Sequence, residues 1–245
     1  MARSFVSASS QYLMRGDKCG ISAYPFTMAC WFKAASQTST KTLIGFGNSS
    51  SYPQLYLGAQ ANTNYVFSLV EDTGTSYSIT TVGYDVGEWN HACGVFTSNT
   101  LRASYLNGGN KATNATSRVF PSTANVTTIG VRHRGGAFAN YMDGVIAEAG
   151  IWNVALTDAE VASLAAGFSP LFVRPASLVA YWPLIRDEDI DIVGGYDLTA
   201  YNSPTIAAHC PIMRPAAPQV ITKLGAGAGS NIPVIMQHYK KMRVA

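Results

Sequence analysis

The stretch Asn140–Gly167, NYMDGVIAEAGIWNVALTDAEVASLAAG, decides the architecture of this chain. It joins an Asp-Gly turn, an apolar strand carrying a Trp and one short capped helix, in a text that otherwise reads as strands. Asp143-Gly144 supplies the φ > 0 position that a tight strand connection needs. In a regular strand from Gly144 to Trp152, Val145, Ala147, Ala149 and Ile151 share one face, and Ile146, Glu148, Gly150 and Trp152 share the other. Neither face is purely polar and no helical period shows, so the strand is expected to be largely buried. Thr157-Asp158-Ala159-Glu160 then spells a capping box, in which the Thr157 hydroxyl accepts from the Glu160 amide and the Glu160 carboxylate accepts from the Thr157 amide. Val161, Leu164 and Ala165 fall on one side, and Gly167 is a natural left-handed C′ residue. The spacing predicts a short helix with one apolar side to lay on a sheet.

Outward from this stretch, strand signals recur with turn formers between them. Strands are expected over Phe26–Ala34, Thr42–Phe46, Leu55–Leu57, Tyr65–Val70, Ser76–Thr81, His91–Thr97, Leu101–Leu106, Val126–Val131 and Leu178–Pro183. The breaks SQTSTK, GNSSSYP, EDTGT, DVGE, NGGN and RHRGG are rich in turn residues, and Asn107-Gly108 is a strong hairpin signal. Many short strands at this spacing predict an all-β, two-sheet antiparallel sandwich or barrel. Near Asn202 the composition turns rich in Pro, Ala and Gly, which divides the chain into a domain over 1–203 and an extended C-terminal arm over 204–245. The arm holds apolar islands, among them Ile232, Val234, Ile235 and Tyr239, and a basic tip of Lys240, Lys241 and Arg243. It is expected either to add to a neighbour or to wrap back along its own domain.

Only 13% of the 245 residues are charged, so Ser, Thr, Asn, Gly and Tyr must cover much of the surface, a composition suited to sugar or protein contacts. The net charge of +3 is too small to argue for a nucleic-acid partner. No apolar run approaches the roughly 20 residues of a membrane span. The opening MARSFVSASSQYL lacks the apolar region of a secretion signal, which points to synthesis in a cytoplasm and makes the N-x-S/T triplets at Asn48, Asn114 and Asn125 incidental. Cys19, Cys30, Cys93 and Cys210 show no metal-ligand spacing, and Cys30 and Cys93 read as buried free thiols, with an inter-strand disulfide as the alternative.

Six motifs in order now carry a resemblance. SFVSASSQYLMR, PFTMACWFKA with Trp31, GEWNHACGVF with Trp89 and His91, SYLNGG, DGVIAEAGIWNVALTDAEVASL, and SLVAYWPL with DIVGGYDLTA are similar to the strands of the laminin-G/concanavalin-A-like family. The likeness is to its pentraxin-like jelly rolls, in a branch common among bacterial and phage proteins. It implies a jelly roll with one concave sheet, often a binder of glycans or proteins, with calcium at the rim in some members.

The candidate binding residues are Tyr52, Tyr56, Tyr65 and Tyr84, whose rings suit sugar stacking or an interface, and the cationic run Arg132-His133-Arg134. Tyr77 falls among the same strands. No cofactor is expected; the acidic positions open to calcium are Asp143, Asp187 and Asp189, yet the Asp187–Asp191 cluster lacks the spacing of a calcium loop and reads first as a turn shaped by Asp191. His91, beside Trp89, reads as a packing residue. A retaining glycosidase needs two carboxylates about 5–5.5 Å apart. Asp143 and Glu148, at an odd offset, fall on opposite faces of a regular strand, so no catalysis is expected. The favoured expectation is a non-enzymatic virion component of a phage, a capsid decoration or fibre-type protein. It would dock through the arm on a capsid or tail protein as a homo-oligomer such as a trimer, with surface glycans as further ligands. The alternative is a carbohydrate-binding module of the lectin or adhesin type, and a glycoside hydrolase stands well behind both.

Overall fold

Apolar and small residues alternate through these segments with period two, and the chain answers with strands. The structure is a computed structural model and describes residues 1–185 and 188–213. Its strands are β1 (Ala2–Phe5), β2 (Tyr12–Arg15), β3 (Phe26–Ala34), β4 (Lys41–Gly47), β5 (Gln54–Ala59), β6 (Val66–Glu71), β7 (Thr75–Ile79), β8 (Asn90–Ser98) and β9 (Leu101–Leu106). There follow β10 (Gly109–Asn114), β11 (Val126–Ile129), β12 (Arg132–Arg134), β13 (Ala137–Ala139), β14 (Gly144–Trp152), β15 (Leu178–Trp182), β16 (Thr199–Tyr201) and β17 (Thr205–Ala207), with the helix α1 at Asp158–Ala165. The arm residues Ile232, Val234, Ile235, Tyr239, Lys240, Lys241 and Arg243, and Asp187, lie outside the described residues.

Two antiparallel sheets stack. The first runs β10-β9-β8-β3-β14-β1-β17, with β15 also on β14; the second runs β16-β2-β11-β4-β5-β6-β7. Between them lies the core, including Phe5, Leu13, Phe26, Phe32, Ile44, Phe46, Leu57, Ile146, Ile151 and Trp182. The capping box of α1 forms as the sequence predicts, and Gly167 sits at φ 93°. Val161 and Leu164 pack on Trp152, Ala29, Cys93 and Tyr105, the outer face of the first sheet. Burial of each such side chain is worth roughly 1.5–3 kcal/mol. The Asn107-Gly108 turn joins β9 to β10 with both residues at positive φ, 52° and 75°, as a type I′ hairpin requires. Cys19, Cys30 and Cys93 are free thiols, and all four cysteines are buried.

β14 departs from the regular strand read off the sequence. Its register shifts between Ala147 and Gly150, and Glu148 there takes φ 53°. The bulge breaks the alternation: Ile146, Ala149 and Ile151 face the core, whereas Val145, Ala147 and Trp152 face outward. It also marks where the strand changes its edge partner, from β1 at Gly144–Ile146 to β15 at Ala149–Trp152. Asp189, named as open to calcium, is instead built into an ion pair, while Asp191 shapes the turn as the sequence predicts. Asp189 is buried in an ion pair with Arg3 Nη2 at 2.8 Å. Asp191 is buried too, and its carboxylate accepts from the amides of Tyr181, Val193, Gly194 and Tyr196. After β17 has paired with β1, the chain continues to Met213, whose amide donates to the Gly167 carbonyl.

Candidate functional site

A sandwich strand normally turns its apolar side chains inward and its polar ones to water. At its β6–β7 edge the second sheet departs from this: Ser68, Ser76 and Ser78 point inward, while Leu55, Leu57 and Ala59 on β5 and Val66 and Val70 on β6 still face the core. Ser68, Ser76, Ser78 and Ser104 and the guanidinium of Arg102 are buried. Ser78 Oγ lies 2.7 Å from Ser104 Oγ, which lies 2.9 Å from Ser68 Oγ, and Arg102 donates to Ser76 Oγ at 2.7 Å and to the Thr116 carbonyl at 2.7 Å. The opposite parity therefore points out of the sandwich: Tyr56 on β5, Phe67 and Leu69 on β6, and Tyr77 and Ile79 on β7, which pack together as a separate cluster. A one-residue slip would exchange the two sets. The register holds the apolar set outside.

These side chains line a shallow groove of about 150 Å³ with Thr40 and Gln60 at one end. Register places Gly58, Phe67 and Ile79 in one row across the strands, and Tyr56, Leu69 and Tyr77 in the next. A Cβ on Gly58 would come within 2.7 Å of the Phe67 ring, so the missing side chain lets that ring lie flat over β5. Tyr56 and Phe67 meet edge to face at 5.5 Å and Phe67 and Tyr77 at 6.3 Å. Tyr77 remains 46% exposed, an open ring at the mouth.

The side wall is a hairpin that the sequence reading treats as a loop. β12 and β13 pair around Gly135-Gly136, both at positive φ, and lie across the outer face of β4. Gly47 makes this possible, because a Cβ there would sit 2.3 Å from the His133 carbonyl oxygen. The hairpin is seated by stacked rings: His133 on Phe138 at 4.2 Å, Phe138 on Tyr12 at 5.0 Å, and Tyr12 on Tyr201 at 4.7 Å. Burial pushes the pKa of His133 down, so it acts as a neutral ring of that stack rather than as a third cation. Arg132 and Asn140 bear on the Tyr56 hydroxyl, although burial is the larger influence and pushes its pKa up. Arg134 pairs with Glu71, which Gln54 also bonds, and its guanidinium lies 4.5 Å from the centre of the Tyr52 ring.

The structure thus gathers Tyr52, Tyr56, Arg132, His133 and Arg134 on one face. Tyr65 is half-buried just ahead of β6. Tyr84 is not a surface ring: it is 2% exposed and packs edge-on to Phe32 at 5.1 Å within the core. Phe67, Leu69 and Ile79 escape the sequence reading, but a signal was there. Val66–Val70 is apolar at both parities around a central Ser, so one apolar set had to face out.

Glu148 and Asp143 are each held by other partners. Glu148, at its bulge, is buried, accepts from the Tyr181 hydroxyl and lies 3.1 Å from His209 Nε2. Asp143 Oδ1 accepts from the Ser7 amide at 3.4 Å. Among the described residues no three His, Cys, Asp or Glu side chains group as metal ligands would. His91 is fully buried, stands edge-on to Trp31 at 5.5 Å, and has a pKa pushed down to about 3 by desolvation.

A sequence profile of the concanavalin A-like lectin/glucanases superfamily matches residues 7–162, well over half of the chain. The chain belongs to that superfamily. No curated protein matches it. Among solved structures, this superfamily member is similar to a Bacteroides ovatus protein provisionally assigned as carbohydrate-binding, at 18% identity and TM-score 0.60, covering 86% of this chain and 61% of that one. It is also similar to the CBM40 of a Ruminococcus gnavus IT-sialidase bound to α2,3-sialyllactose, at 15% identity and TM-score 0.55, covering 67% and 94%. A third likeness is to domain 4 of AbnA, a Geobacillus stearothermophilus arabinanase, in complex with arabinotriose, at 20% identity and TM-score 0.51, covering 61% and 70%. At these identities the likeness establishes the jelly-roll fold of a lectin-like superfamily domain.

Proposed function

We propose that this domain is a carbohydrate-binding module whose ligand sits in the groove of β5, β6 and β7. The apolar set that β5, β6 and β7 turn away from the core carries the reading. Tyr77 stays open to solvent while Tyr56, Phe67 and Leu69 pack beside it outside the main core, and an apolar set turned away from the core in this way marks a contact site. A sugar offers what the groove matches, an apolar ring face for Tyr77 and hydroxyls for Gln60, Thr40 and the polar rim. Chemistry on the ligand is no part of this proposal, since Glu148 is held by Tyr181 and His209. The virion reading rests on arm residues outside the described ones and takes no support from the neighbours, so the glycan-binding alternative replaces it.

A glycan array probed with the full chain tests the proposal. Saturable, competable binding to at least one sugar class is the expected result; uniform background over neutral and acidic glycans would contradict it.

A further inference from the structure

The groove has a floor only two apolar rows deep. Phe67 and Leu69 are the outward residues of those rows, and two positions along β6 span about 7 Å. The next outward row is polar: Gln54 on β5 faces Glu71 on β6 in register, with Thr75 beyond on β7. Glu71 takes the Gln54 side chain on one oxygen and the Arg134 guanidinium on the other. Arg134 belongs to the hairpin that walls the β4 side, so this ion pair ties the wall to the sheet floor across the end of the groove. Tyr52 lies against the same guanidinium from outside. Among the described residues the opposite end, at Thr40 and Gln60, carries no ion pair. The row beyond the groove's lining is therefore bridged by an ion pair, and the hairpin that carries Arg134 lies on the β4 side.

We infer that the site takes the terminal residue of a glycan chain and excludes its interior units, and that the Glu71–Arg134 bridge sets this limit. The inference rests on the reading of the groove as a glycan site. A ring seated over Leu69 against the Gln54–Glu71 row has no passage for a further unit on that side, while the chain leaves past Thr40 and Gln60. Selection works by exclusion: an interior unit must break an ion pair before it can sit.

Titration calorimetry with the full chain tests it, using arabinotriose against linear arabinan, xylotriose against xylan, and α2,3-sialyllactose against polysialic acid. For whichever sugar is recognised, the oligosaccharide is expected to bind about tenfold or more tighter per sugar unit than the polymer, whose ends are scarce. Glu71→Gln and Arg134→Gln, two different breaks in the same bridge, should each raise the polymer-to-oligosaccharide affinity ratio toward one, with thermal melts confirming that each variant is folded. Equal wild-type affinity per unit for polymer and oligosaccharide would overturn the inference and leave the glycan reading standing. So would an unchanged ratio in both folded variants. Absence of binding to every probe and to the wider array would remove the glycan reading, and this inference with it.

Discussion

Glu148 shows how one residue can redirect a strand. Its left-handed φ of 53° starts the bulge in β14, and its buried carboxylate meets the Tyr181 hydroxyl and His209. Glu148→Ala removes the acceptor while the polar partners stay buried, and should destabilise the fold by about 2–4 kcal/mol in urea unfolding. A loss within the noise of the unfolding curve would show that the network is not needed. His91 gives a pH prediction with a definite sign. Its folded pKa, about 3, lies below the ordinary histidine value. The unfolded chain therefore takes up the proton first as pH falls, and stability drops from about pH 6.5 downward. Between pH 7 and 5 this amounts to about 2 kcal/mol. His91→Phe, which cannot titrate, should lose less stability than the parent over that interval; parallel curves would contradict the assignment.

The hairpin β12–β13 depends on a glycine in another strand. Gly47→Ala places a methyl 2.3 Å from the His133 carbonyl oxygen, backbone that cannot swing aside. The hairpin should lift, with a stability loss of about 1–3 kcal/mol and faster hydrogen exchange at Arg132–Arg134 and Ala137–Ala139. Unchanged exchange there would refute the contact. α1 rests on a different device, and Thr157→Ala should cost about 1 kcal/mol through loss of the cap. The helix was legible because Thr157, Glu160 and Gly167 act locally, within one turn of the backbone. The hairpin was not, because RHRGG pairs only once Gly47 has opened a seat on β4 and Tyr12 and Phe138 have stacked. The bulge stayed hidden for a similar reason: it serves two edge partners, β1 and β15, that lie far apart in sequence. The core strands, with Phe26–Ala34 and Gly144–Trp152 at their centre, stood in the sequence within their observed bounds.

Across the molecule, the division of polar from apolar surface is what gives the sandwich a use. One end of its interior is a serine and arginine network, and the matching outer face is a walled groove of aromatic and aliphatic side chains. Tyr56 and the Arg132–Arg134 run could be named from sequence because their residue types suit sugar contact. The direction of Phe67 and Leu69 could not, since parity in Val66–Val70 is ambiguous until Ser68 meets Ser104 from the other sheet. The choice between inside and outside is made by tertiary pairing. The central claim is that this outward apolar set binds a glycan, and Tyr77 is its most exposed member. Calorimetric titration of wild type and Tyr77→Ala with the best glycan from the array tests the claim most directly. The variant should keep its melting temperature and lose roughly tenfold in affinity, about 1–1.5 kcal/mol of ring stacking. Undiminished affinity in Tyr77→Ala and in Phe67→Ala, both folded, would place the ligand elsewhere and contradict the account.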